Sequence, residues 1–99
     1  MPAYLVFVRD KTTDQAAYDA YTRLVPGTYV GHEHKALAIN GRLEAIEGPT
    51  PDGVVIVEFP SIDAAKAHYY SPEYQAIVGG RLGSTEGRAF IVEGLGTAR

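Results

Sequence analysis

Arg81 follows Tyr74, Ile77 and Val78 at helical spacing, on a stripe that is otherwise apolar. A guanidinium in such a place requires a partner, either an anion taken from solution or a carboxylate of the protein. Glu47, Glu58 and Glu93 stand on or at the ends of expected strands, so carboxylates are available. One reading has Arg81 holding a small anionic or carbonyl substrate while Glu47 or Glu93 moves a proton as general acid or base. The competing reading is an ion pair within the chain or between subunits, and both stay open at this level. His32 and His34 are one residue apart, so in an extended segment both imidazoles point the same way, as paired metal ligands do. A metal needs a third and fourth ligand, and no second motif of fixed spacing supplies them, so no metal site is expected. Exposed or hydrogen-bonded loop histidines are the commoner case, and between the chemical roles His32 suits a lone acid or base better than a ligand, since imidazole chemistry works near neutrality.

Tyr70, Ser71 and Tyr74 flank a helix break at Ser71-Pro72 and are candidates for the lining of a substrate pocket; the alternative for such tyrosines is a core edge with wet tips. The chain has no GxSxG, no glycine-rich phosphate loop after a strand and no dinucleotide fingerprint, so no cofactor is expected. Gly79-Gly80-Arg81-Leu82-Gly83 comes late in a helical segment, where phosphate cradles do not sit.

These residues need elements to position them. Ala3 to Val8 is an unbroken apolar, aromatic and β-branched run ending at Arg9-Asp10-Lys11, a strand buried on both faces. Thr12 followed by Gln15 has the form of a capping box, and Ala17, Tyr21, Leu24 and Val25 recur at helical spacing until Pro26-Gly27 interrupts. Lys35 to Glu47 is read as one long strand kinked or bulged at Gly41. A Gly/Pro-rich turn leads to the strand Val54 to Phe59. Ser61 caps a second helix, Ser71-Pro72 restarts it, and Arg88 to Glu93 is the closing strand.

Strand, helix, strand, strand, helix, strand is the βαββαβ order of an α+β ferredoxin-like antiparallel sheet with both helices on one face. Asn40-Gly41 favours a hairpin in isolation, but a reversal there would run Val54 to Phe59 parallel to the first strand. Both strands are apolar at odd and at even positions, so the face without helices should also be covered. A second copy, sheet against sheet, is the economical cover, and a homodimer is expected.

Ninety-nine residues give one domain, expected over 1–95, with 96–99 as a short tail. A net charge of −3 and scattered Lys and Arg residues lack the footprint of a nucleic-acid binder. Without cysteines, a secretion signal or an apolar run of roughly 20 residues, neither disulfides nor a membrane partner is expected, and the address is cytoplasmic.

Glu58-Phe59-Pro60-Ser61, Ala64-Ala65 and Tyr70-Ser71-Pro72-Glu73-Tyr74-Gln75 together resemble the family called domain of unknown function 1330. Leu43-Glu44-Ala45-Ile46-Glu47-Gly48 and Val92-Glu93-Gly94 are similar to its other signatures. The resemblance implies a ferredoxin-like dimeric α+β barrel and no established reaction. By analogy of fold, related barrels include lactone isomerases, small monooxygenases and dehydrochlorinases that work without cofactor. The chain departs from the family at His68, where Trp is common, and at Gly31-His32-Glu33, where many members have Gly-Gly-Arg.

Overall fold

The computed structural model describes residues 1–96. The elements in chain order are β1 (Ala3–Thr12), α1 (Gln15–Thr28), β2 (Lys35–Ile39), β3 (Gly53–Phe59), α2 (Ile62–Tyr69), α3 (Pro72–Gln75), α4 (Val78–Leu82) and β4 (Thr85–Glu93). The four strands form one antiparallel sheet in the order β2-β3-β1-β4. This is the ferredoxin-like arrangement. The two apolar strands β1 and β3 occupy the centre, with Ala3 opposite Phe59 and Arg9 opposite Gly53. β4 flanks β1 on the other side, Leu5 facing Ile91 and Phe7 facing Ala89.

Period-two alternation divides the sheet into two faces. Leu5, Val57 and Phe59 point to the helices and bury with Ala65 of α2, joined by Phe7, Val55 and Ile91. A second cluster, Tyr18 and Tyr21 of α1 with Tyr74 of α3, packs on Phe7 and Tyr69. Tyr4, Val6, Val8, Val54, Ile56, Phe90 and Val92 have the opposite parity, and Phe90 and Val92 are about half exposed at 46% and 50%.

The local caps explain where the helices begin. Ser61 Oγ accepts the Ala64 N–H at 3.0 Å, and Ser71 Oγ accepts the Tyr74 N–H at 3.2 Å ahead of Pro72. Gly80 brings α4 against α1, since a Cβ there would stand 3.2 Å from Tyr21 Cβ.

The structure corrects several expected boundaries. Asp14, not Thr12, caps α1, accepting the Ala17 N–H at 3.0 Å. Thr12 is held extended in β1, its N–H donating to Asp52 at 2.8 Å and its hydroxyl accepting from Arg9 at 2.6 Å. Pro26 does not stop the helix; it lies in the last turn, and Thr28 follows it as the final helical residue. The strand from Lys35 ends at Ile39, because Asn40 takes a positive φ of 50°. The sheet irregularity lies between Ala36 and Ala38 instead of at Gly41. β1 and β4 are longer than expected and run together to Thr12 and Thr85 across a register shift between Arg9 and Lys11. Of the expected tail, residues 97–99 lie outside the described residues.

Candidate active site

α1 lies over the sheet through side chains spaced by one helical turn: Tyr18, Tyr21 or Thr22, Val25 and Tyr29. Between this row and Phe7, Val55 and Val57 remains a cavity of about 290 Å³. That is the lower bound of ligand pockets, which run from roughly 300 to 1,000 Å³, and leaves room for a single substituted ring. Its lining is mostly apolar and aromatic, with Arg9, Arg81, Arg88, His34, Asn40 and the tyrosines as polar groups. None of the lining residues is Asp or Glu.

Arg81, on α4, reaches back across three elements. Its Nε donates to Tyr74 Oη at 3.2 Å and its Nη2 to Tyr69 Oη at 3.1 Å, while the guanidinium carbon sits 5.0 Å from the centroid of Phe7. Tyr74 Oη is also 2.7 Å from Tyr21 Oη. The result is a chain of groups, Arg81 to Tyr74 to Tyr21, at the edge of the cavity. Burial, reinforced by Tyr74, pushes the Tyr21 hydroxyl well above its usual range, so it stays protonated and can donate. Burial opposes the charge on Arg81, but Tyr74, Tyr21 and Tyr69 outweigh it and the net shift is upward. Arg81 is therefore a permanent cation held by hydroxyls.

His34 stands at the mouth. Its Nδ1 donates to the His32 carbonyl at 2.8 Å, so in the neutral tautomer the lone pair is on Nε2, and its ring packs on Tyr29 at 4.3 Å. Tyr29 is stacked in turn on the buried His68 at 4.0 Å. Burial, followed by Tyr74, raises the Tyr29 hydroxyl to about 12.

The residues expected to form the site are brought together in part. Arg81 and Tyr74 line the cavity; His32, Glu47, Tyr70, Ser71 and Glu93 do not. The His32 ring lies 5.4 Å from that of His68, edge to face. Glu47 is exposed in the segment between β2 and β3, and Glu93 is exposed at the end of β4. Tyr70 is 66% exposed against Tyr69, and Ser71 is consumed as the α3 cap, its hydroxyl also donating to the His68 carbonyl at 2.7 Å. Arg9, Tyr18, Tyr21 and Asn40 line the cavity without having been singled out. Tyr18 and Tyr21 carry a signal in their i, i+3 spacing, whereas Arg9 reads in sequence as the charge that ends an apolar strand. No group of three or more His, Asp or Glu residues suited to a metal ion occurs among the described residues. No helix among them is long and apolar enough to cross a membrane.

Solved structures share this architecture. A protein of unknown function from Rhodopseudomonas palustris superposes with a TM-score of 0.74 at 23% identity, covering 96% of this chain and 83% of its own. A dimeric ferredoxin-like protein of unknown function from Jannaschia sp. CCS1 gives 0.68 at 16%, covering 97% and 100%. SnoaB, a cofactor-independent oxygenase from Streptomyces nogalater, gives 0.54 at 9%, covering 98% and 94%. At these identities the likeness is one of fold. No curated protein matches the chain. The model of one family spans residues 2–95, which takes in every strand, every helix and the whole cavity lining, and the chain accordingly belongs to the family Domain of unknown function (DUF1330).

Proposed function

We propose that this protein is a homodimeric, cofactor-independent enzyme that binds a small anionic or carbonyl compound in the cavity between α1 and the sheet. One observation carries the reading: Arg81 presents a cation to a largely apolar cavity with no carboxylate among its lining residues. A half-buried cation of this kind is stabilised by an anion or by the oxygen of a polarised carbonyl. The dimeric neighbour of the same fold and the apolar outer face of the sheet support the homodimer.

The chemistry this arrangement suits is enolisation. The α C–H bond of a carbonyl compound breaks, its proton passes to Nε2 of His34, and the electron pair moves onto the carbonyl oxygen. Arg81, with Tyr74 and Tyr21 behind it, stabilises that oxyanion. In a β,γ-unsaturated carbonyl compound, return of the proton from His34 to the γ carbon moves the double bond into conjugation and completes an isomerisation with no external oxidant. Because His34 lines the cavity and His32 does not, the proton-transfer role falls to His34 in place of His32, Glu47 or Glu93.

Calorimetric titration with benzoate and its neutral isostere benzamide tests the binding step. Benzoate is expected to bind and benzamide to bind far more weakly, with the difference lost in Arg81→Gln. Equal binding of the two, or an Arg81→Gln protein that keeps the preference, overturns the site. Proton transfer is followed separately as deuterium uptake from D2O into unsaturated lactones. Binding without any uptake reduces the protein to a ligand-binding module.

A further inference from the structure

Arg9 is a second guanidinium on the same cavity, and the function proposed above makes no use of it. It stands on β1 two residues from Phe7, with the same helix-facing parity. Its guanidinium carbon lies 4.4 Å from the ring centroid of Tyr18. Nη1 donates to Thr12 Oγ1 at 2.6 Å, and Nη2 to Asn40 Oδ1 at 3.2 Å, while Asn40 Nδ2 donates to Tyr18 Oη at 3.4 Å. Nε is buried with no hydrogen-bond partner. Gly53, opposite Arg9 on β3, keeps this place open: a Cβ there would collide with Nη2 of Arg9 and with Oδ1 of Asn40.

Every group that holds Arg9 is neutral. Among the described residues the ion pairs are Arg42 with Glu44 at 3.8 Å and Arg88 with Asp10 at 3.7 Å. Of the three arginines lining the cavity, Arg88 thus has a carboxylate, and Arg9 and Arg81 have none. Two cations facing one small apolar space repel each other and are each partly desolvated. Both penalties are relieved together by a ligand with negative charge at each end.

Resting on the site proposed above, we infer that its ligand is a single-ring compound bearing two anionic groups, one held by Arg81 and the Tyr74–Tyr21 pair and the other by Arg9 with Tyr18 and Asn40. Arg81 is held against Phe7, Tyr69 and Tyr74, and Arg9 against Tyr18 and Asn40; with no shared partner, the two cations suit opposite ends of a ring better than adjacent positions. Arg9 is then a specificity residue: it selects the diacid from the monoacid.

Isothermal titration of the full-length wild-type protein with benzoate, terephthalate and phthalate tests this at fixed ionic strength. Terephthalate is expected to bind roughly tenfold or more tighter than benzoate, as one added charge-assisted contact gives. Phthalate, with adjacent carboxylates, should gain less. In Arg9→Gln the ratio of terephthalate to benzoate affinity should fall toward one, and Arg9→Lys should retain part of it. Benzoate binding that depends on Arg81 without any advantage for terephthalate overturns the second anionic group and leaves the first standing. Equal affinities for phthalate and terephthalate overturn the end-to-end placement, and an Arg9→Gln ratio equal to wild type overturns the role of Arg9. Failure of all three acids to bind the wild type overturns both proposals. The wild-type ratios decide the matter even if the Arg9 variants do not fold.

Discussion

His68 has its imidazole fully buried, stacked on Tyr29 at 4.0 Å and on Phe59 at 5.6 Å. The hydroxyl of Thr28 donates to the Val25 carbonyl at 2.7 Å, so at 3.0 Å it must accept from His68 Nε2. Nδ1 then carries a lone pair, buried and without a partner. Protonation would place both a charge and an unsatisfied N–H in an aromatic enclosure. Burial, and after it the neighbouring His32 and His34, accordingly push His68 from 6.5 down to about 4. The linkage follows from the sign of that shift. Between about pH 6.5 and 4 the unfolded chain takes up a proton that the folded chain refuses, so the contribution to stability is whole above pH 6.5 and is lost as pH falls toward 4. The full loss is on the order of 3 kcal/mol. Denaturant unfolding of wild type and His68→Phe from pH 7 to pH 4 should show a shallower decline in the variant, whatever its stability at pH 7. Parallel curves would mean that His68 takes up its proton as readily in the folded protein as in the unfolded chain. A decline that is shallower in the variant would mark the buried His68 as the source of acid sensitivity in the core.

At the scale of the element, β1–β4 pairing depends on a glycine. A Cβ at Gly87 would collide with the Val8 carbonyl oxygen, which belongs to backbone and cannot swing away. Gly79 in α4 has no atom within 4 Å of the same imagined Cβ. Gly87→Ala should therefore destabilise by about 2 kcal/mol, as forced overpacking does, while Gly79→Ala should be neutral or stabilising by up to about 1 kcal/mol through helix propensity. Chemical unfolding of the pair checks this, and equal effects would refute the close approach. The same contrast between local and distant causes governs what the sequence revealed. β1, β3, the Ser61 cap and the Ser71-Pro72 restart were legible because their determinants lie within a few residues. The start of α1 was not, since Thr12 is claimed by Asp52, forty positions away, and by Arg9. The end of β2 depends on one positive φ at Asn40, whose side chain is tied to Tyr18 and Arg9. Arg81 was legible because a charge on an apolar stripe is a local anomaly. Arg9 was not, because a charge at the end of a strand is ordinary until Tyr18 is folded over it. The choice of His34 over His32 at the cavity rests on the backbone after Gly31, which no spacing rule supplies.

Taken as a whole molecule, the sheet separates two tasks. Its helix-facing side carries the cavity, and its outer side carries Tyr4, Val6, Val8, Val54, Ile56, Phe90 and Val92. An antiparallel sheet open to water on one face alternates apolar with polar residues, and this one does not. Burial against a second copy would satisfy that face and use one surface twice, as a two-fold axis requires. Sedimentation velocity at tens of micromolar should give a dimer, and the thermal midpoint should rise with protein concentration because dissociation accompanies unfolding. Phe90→Asp places a charge in the middle of the face, opposite Val6, and should yield a monomer of lower thermal midpoint. Since Phe90 points away from the cavity, any benzoate binding seen in wild type should survive in a folded Phe90→Asp monomer. A wild type that sediments as a stable monomer with a concentration-independent midpoint would overturn the dimer. Loss of ligand binding in a folded Phe90→Asp monomer would instead mean that the two faces are not independent and that the cavity is completed only on assembly.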